Sequence, residues 1–154
     1  MDHPSENELW GHYGEGVARN LFNLEMDRGS YHDARDSHGN PYEVKCCQLT
    51  VGVRADPGKF FIRWENHQKL RECDGFYTLI LYDPQEWRRG PILGIDVKSA
   101  GWLDSVDRPW TANGSRRNET VKRPVWTDVF SPEDVIPDHK ASQTIESAGV
   151  DVSG

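Results

Sequence analysis

The sequence predicts a mixed α/β sheet domain, and three observations carry the prediction. A helix-spaced apolar pattern opens the chain, a polar hairpin follows it, and a nearly all-apolar segment, Phe76–Tyr82, comes after a second short helix. The order reads α-β-β-β-α-β-β, with helices placed before and within the strands, as in a sheet flanked by helices. At 154 residues the chain suits one compact domain and leaves little room for a second. Residues 1–137 are read as that domain. Residues 138–154 are polar, small and acidic, and are expected to be a disordered tail.

Ser5 with Glu8 forms a capping-box pattern at the start of a helix expected over Glu6–Met26. Leu9, Tyr13, Val17, Leu21 and Leu24 recur there at helical spacing, flanked by Trp10 and Phe22. Gly11, Gly14 and Gly16 each cost about 1 kcal/mol relative to Ala, so they mark close backbone approach. Tyr31–Asp36 and Tyr42–Val53 read as hairpin strands around the turn residues Ser37-His38-Gly39-Asn40-Pro41. Lys59–Trp64 reads as a third strand, with Phe60, Ile62 and Trp64 on one face. Glu65–Cys73 reads as a helix stopped by Asp74-Gly75. Phe76–Tyr82 has the composition of a buried central strand, and Ile92–Val97 is the strand after it. Val125–Phe130 is expected as a last strand and Pro132–Val135 as a helical turn.

The net charge of -7 first suggests a protein that does not hold nucleic acid by bulk charge. Its distribution says something narrower. Residues 1–43 carry net -6, residues 44–107 net 0, residues 108–123 net +4 and residues 124–154 net -5. The one basic block is therefore masked by acidic ends. Arginine (12) outnumbers lysine (6) and Asp (14) exceeds Glu (11), a bias similar to that of proteins from salt-loving archaea or their viruses. No apolar run approaches the ~20 residues of a membrane span. The N-terminal sequence has no signal-peptide pattern, so a cytoplasmic location is expected. Cys46, Cys47 and Cys73 form no CxxC pair, and all three read as buried small residues in a reducing compartment.

Chemistry concentrates in the hairpin. Glu43 and Lys45 are two apart on a strand, so both side chains leave one face, about 7 Å apart. The hairpin brings Asp33 or Asp36 beside them from the neighbouring strand. Two carboxylates and an ammonium at one sheet edge are what a metal-assisted phosphodiesterase needs. Magnesium takes hard oxygen ligands and keeps several waters. The ion lowers the pKa of a bound water, and a lysine can hold the nucleophile or the charged transition state. Chance alone gives about one acid-x-Lys tripeptide in this composition. There are two, the other being Asp96-Val97-Lys98, which follows Asp83 across a break. Spacing does not dismiss the second; a strand-end charge pair is its plainer reading.

Context distinguishes the first. Asp33-x9-Glu43-x-Lys45, with a helix bearing Glu15 before it and strand, helix and buried strand after it, resembles the PD-(D/E)XK nuclease superfamily. The resemblance runs from about Trp10 to Tyr82 and implies a restriction-endonuclease-like αβββαβ core. It implies Asp33, Glu43 and the Val44 carbonyl as ligands of Mg²⁺ or Mn²⁺, and Lys45 as the catalytic lysine. It implies supporting roles for Glu15 on the first helix and Gln68 on the second. His32 stands where the family has its usual Pro, and Asp36 competes with Asp33, since the shorter spacing also occurs in the family. The implied activity is hydrolysis of DNA phosphodiester bonds by a metal-activated water, in a chain small enough to work as a homodimer.

Other features read more plainly. His38 is turn polarity and His67 a surface histidine, although His32, His38 and His67 all lie near the motif in sequence. Arg108, Arg116, Arg117, Lys122 and Arg123, interleaved with Trp110 and Asn113-Gly114-Ser115, suit a flexible loop that contacts nucleic acid. Two rivals stand beside the nuclease: a catalytically inactive module of the same fold that grips nucleic acid or protein, and an unrelated α/β interaction protein.

Overall fold

The central strand of the fold is Phe-Tyr-Thr-Leu-Ile-Leu-Tyr, whose six residues from Tyr77 to Tyr82 are all buried. Apolar side chains on both faces mean that both faces must be covered, and the computed structural model shows how. It describes residues 6–22, 24–26, 34–113 and 116–138. In chain order these form α1 (Glu6–Phe22), β1 (Glu25–Met26), β2 (Ala34–Arg35), β3 (Pro41–Gln48), β4 (Thr50–Val51), β5 (Asp56–Pro57) and β6 (Ile62–Arg63). Then come α2 (Trp64–Glu72), β7 (Phe76–Tyr82), β8 (Ile92–Ser99), α3 (Trp102–Ser105), β9 (Trp110–Asn113), β10 (Arg116–Lys122) and α4 (Pro132–Val135).

The main sheet has the order β1-β2-β3-β7-β8. Its β3–β7 pair is parallel over seven residues, from Tyr42↔Phe76 to Gln48↔Tyr82, and its other pairs are antiparallel. A parallel pair needs a crossover, and α2 lies on it. Asp74 ends that helix in the left-handed region (φ 52), and the Gly75 amide donates to the Leu70 carbonyl at 2.9 Å. A Cβ at Gly75 would sit 2.9 Å from the Pro41 carbonyl, so glycine lets β7 begin hard against β3.

Reading α1, β1, β2, β3, α2 and β7 in order gives the expected αβββαβ, though with different strands. The edge of the sheet is Glu25–Met26, which shortens the expected first helix to Phe22. The long strand ends at Gln48 rather than Val53, and Thr50–Val51 pairs back on Asp56–Pro57 as a separate hairpin. Lys59–Trp64 does not join the main sheet, because β7 occupies the place beside β3. Instead Ile62–Arg63 pairs with β10 in a second sheet, β6-β10-β9. Phe60 and Ile62, both fully buried, join the large core with Leu70, Leu79, Leu81 and Trp126. Burying each such side chain contributes about 1.5–3 kcal/mol.

α1 packs on the other face of the sheet, through small residues and Trp10 rather than through Tyr13 and Leu21. Tyr13 and Leu21 are exposed, while Gly14 and Ala18 are buried. A Cβ at Gly14 would collide with Cys46 Sγ, so this one glycine sets the helix–sheet distance, whereas Gly11 and Gly16 face open space. Ala18 packs with Val44 and Ile80, and Trp10 stacks on Tyr82 at 4.9 Å.

Three further expectations change. Val125–Phe130 is a 3-10 turn at Trp126–Asp128, and Trp126 donates its indole N–H to the Leu49 carbonyl at 2.9 Å. The basic block is not a loop: β9 and β10 pair antiparallel across it. Cys47 is buried as expected and Cys73 is exposed. Ser5, His32 and Asp33, and the tail beyond Asp138, lie outside the described residues. No helix of the described residues is long and apolar enough to cross a membrane.

Candidate active site

Strand alternation puts Glu43, Lys45 and Cys47 on one face of β3 and Tyr42, Val44 and Cys46 on the other. Glu43 is only 6% exposed, between β2 and β7. Lys45 Nζ lies 2.9 Å from Glu43 Oε1. A carboxylate this dry costs several kcal/mol to desolvate, and the ammonium offsets part of that. A sheet needs no such pair for stability, since apolar residues of similar volume serve as well or better. The pair therefore points to chemistry.

Lys45 also opens onto a cavity of about 310 Å³, lined by Gly11, Glu15, Val44, Gln48 and Lys59 among others. The structure thus brings Glu15 and Val44 to the cavity of Lys45 while Glu43 holds its ammonium. Gln68 is half-buried on α2 and does not line that cavity. Glu43 and Glu15 are hard oxygen donors of the kind magnesium takes, and one or two carboxylates with water suffice for that ion. The donor chemistry fits. Among the described residues no three His, Cys, Asp or Glu side chains gather into a metal cluster.

Asp36 is committed to the hairpin turn. Its Oδ1 accepts the His38 and Asn40 amides at 2.9 Å each, and its Oδ2 accepts Asn40 Nδ2 at 3.0 Å. Burial pushes its carboxyl up, but the bonds from Asn40 and His38 outweigh that and hold it below the usual carboxylate range. His38 is exposed turn polarity, as its sequence context suggests.

The second acid-x-Lys motif forms the charge pair its plainer reading expects. Lys98 Nζ lies 3.2 Å from Asp96 Oδ2, with both side chains about a third or more exposed. Asp83 is buried and caps the next turn, accepting the Gln85 amide at 3.0 Å.

The basic block divides. Lys122 is 3% exposed and donates to the Leu103 carbonyl at 2.6 Å, with its ammonium 5.7 Å from the Trp110 ring. It is a buried strut and not a phosphate contact, because β10 turns it inward beneath β9. Burial lowers its pKa despite Asp104, Asp107 and Asp128 nearby. Arg108 makes two bonds to Asp128, at 2.9 and 3.1 Å. Arg123 is half-buried and donates to Thr111 Oγ1 at 3.2 Å. Arg116 and Arg117 lie on β10, and their side chains are outside the described set.

His67 is fully buried rather than superficial. Its Nδ1 lies 2.7 Å from Tyr77 Oη and its Nε2 2.9 Å from Asp104 Oδ1, which Arg71 also steadies through Oδ2 at 3.1 Å. Desolvation depresses the His67 pKa, although Asp104 opposes it. Burial, followed by the charge of Glu43, drives the Tyr77 hydroxyl far above its ordinary value. Tyr77 is the register partner of Glu43, so this buried chain of polar groups backs onto the candidate site. The spacing Trp64-x2-His67-x2-Leu70 places His67 on the inward stripe of α2 and signals its burial. Nothing in the sequence signals Asp104, 37 positions away.

A mixed sheet with one parallel crossover and a buried acid–lysine pair on the hairpin strand defines the restriction-endonuclease-like class of α/β proteins. The sequence profile of the PD-(D/E)XK nuclease superfamily domain matches residues 1–131. The chain belongs to that superfamily. Comparison with curated proteins gives no match.

Proposed function

We propose that this protein is a metal-dependent nuclease that hydrolyses DNA phosphodiester bonds. The single observation that supports this best is the pair of buried Glu43 and half-buried Lys45, 2.9 Å apart, beside the cavity that Glu15 shares. Mg²⁺ or Mn²⁺ would be held by Glu43, by Asp33 and by the Val44 carbonyl. The β2–β3 register, Ala34↔Tyr42 and Arg35↔Pro41, reaches to one residue before Glu43 on β3. When bound, the ion supplies an acidified water and neutralises phosphate charge. Glu43 is the acceptor-only carboxylate that the site orients. Lys45 holds the attacking oxygen and the developing charge on the phosphate as a mobile point cation. Glu15 steadies Lys45 or a water in the cavity, and Gln68 acts from α2 on the nucleic acid rather than on the metal. Arg116, Arg117 and Arg123 remain the phosphate contacts of the basic hairpin. Homodimerisation would let such a small chain cut both strands.

The test is plasmid cleavage with Mg²⁺ or Mn²⁺, at low and at high salt, for the wild type, Lys45→Ala and Lys98→Ala. Loss with Lys45→Ala alone is expected. Loss with Lys98→Ala alone would move the site to β8, and no change with either would end the family mechanism. The alternative is an inactive module of the same fold that binds without cutting. That module would bind DNA equally well with and without divalent ions and would leave it intact.

A further inference from the structure

The cavity at Lys45 does not end there. It shares Val51 and Lys59 with a second cavity of about 350 Å³, whose lining adds Asp56, Phe61 and Arg123. Both have the size of small-ligand clefts. Val51 is the last residue of β4, at 45% exposure, and Val53 in the following turn is wholly exposed. Phe61 is also exposed, and two guanidinium groups flank its ring, Arg123 at 5.4 Å and Arg63 at 6.0 Å. The bond to Thr111 steadies Arg123, and an ion pair with Glu119 steadies Arg63. Lys59 is exposed at the seam between the two cavities.

Exposed apolar side chains beside fixed cations need a reason. Isolated, they would be unremarkable, but here they border two adjoining cavities. An exposed aromatic ring flanked by cations suits an unpaired nucleotide, whose base can take a guanidinium's place on the ring. The base stacks on the ring and the phosphates lie on lysine and arginine. A duplex offers no such face, since its bases are stacked on one another. Asp56 is the one acid in the second cavity's lining, against the cations Lys59 and Arg123. We propose that Phe61, Lys59 and Arg123, with the exposed Val51–Val53 turn, form a track that binds unpaired nucleotides and leads them to the Lys45 cavity. Its direction toward chemistry rests on the nuclease reading; the binding itself does not.

The test is fluorescence anisotropy in EDTA, where nothing is cleaved. The probes are labelled 12-nucleotide oligodeoxyuridylate and oligouridylate and a blunt 12-base-pair DNA duplex. Single strands are expected to bind more tightly than the duplex, and the better of the two identifies the sugar. Phe61→Ala is expected to weaken single-strand binding about 5- to 100-fold, the range that a stacking contact supplies, with circular dichroism unchanged. Lys59→Ala removes one phosphate contact and reduces the salt slope of single-strand binding by about 0.7. A duplex bound as tightly as the single strands, or a Phe61→Ala protein with unaltered single-strand affinity, would overturn the track. Plasmid cleavage separates the two proposals. If cleavage fails while Phe61-dependent binding persists, only the nuclease reading falls. If cleavage persists without Phe61-dependent binding, only the track falls.

Discussion

Glu43-Val44-Lys45 and Asp96-Val97-Lys98 have one spacing and share one face of one sheet, yet they differ in almost every physical property. Registers through β7 put Glu43 in line with Tyr77 and Lys98, and Lys45 in line with Leu79 and Asp96. The two motifs thus run antiparallel, with one strand between them, about 10 Å apart. Both form an ion pair, at 2.9 and 3.2 Å. The acid of the first is buried, and its lysine borders a cavity; the acid of the second is 40% exposed. Asp96 Oδ1 also accepts the amide of its neighbour Val97 at 2.9 Å. A tripeptide pattern therefore says nothing about role until its strand is placed. Position in the sheet decides which carboxylate is held dry.

The largest expected difference is in cleavage. Lys45→Ala should lower the rate of plasmid nicking about 10²- to 10³-fold, the usual loss for one charge-stabilising donor, while Lys98→Ala leaves it within about twofold. Initial rates on supercoiled plasmid measure both. Divalent ions give the second contrast. Mg²⁺ or Mn²⁺ at about 100 times its Kd should stabilise the wild type by about 2.7 kcal/mol, and Glu43→Gln should remove that shift while Asp96→Asn keeps it. Thermal melts with and without EDTA read this directly.

Stability without metal should separate the motifs less. Lys45→Met removes the ammonium beside the buried Glu43 carboxylate and should cost about 1–3 kcal/mol in urea unfolding. Lys98→Met breaks an exposed pair and should cost less than about 1 kcal/mol.

Acid should weaken the fold as a whole through His67. Desolvation lowers the folded pKa of His67, so below its unfolded value of about 6.5 the unfolded chain binds more protons. The His67 contribution is therefore complete above about pH 6.5 and declines as pH falls below it. His67→Gln should flatten the urea midpoint between pH 7 and pH 5. An unchanged slope would remove His67 from the account. The smallest effect concerns Asp36: Asp36→Asn should cost about 1 kcal/mol through the turn and leave cleavage intact.

Much of this layout was legible because local chemistry carries it. Tyr77–Tyr82 could only be a strand covered on both faces. Asp74-Gly75 could stop a helix because one residue adopts the left-handed region and the other lets a strand pass close. Glu43 and Lys45 share a face by the period of a strand alone. The αβββαβ order also emerged, although Lys59–Trp64 was counted in place of Glu25–Met26. A two-residue edge strand has too little pattern to announce itself.

Other features depended on distant partners. Lys122 and Arg123 are adjacent in a basic run, but β10 turns one inward to the Leu103 carbonyl and leaves the other beside Phe61. The helical spacing of His67 signals an inward position, but its partners Tyr77 and Asp104, 10 and 37 positions away, come only from the packed structure. The sequence by itself determined the family, the central strand, the turn chemistry and the pairing of acid with lysine, since each follows from residue type and short-range period. Only the tertiary structure decided which acid is dry, which cations remain at the surface and where the grooves run. Burial and charge compensation are properties of packed neighbours, and those neighbours come from strands and helices far apart in the chain.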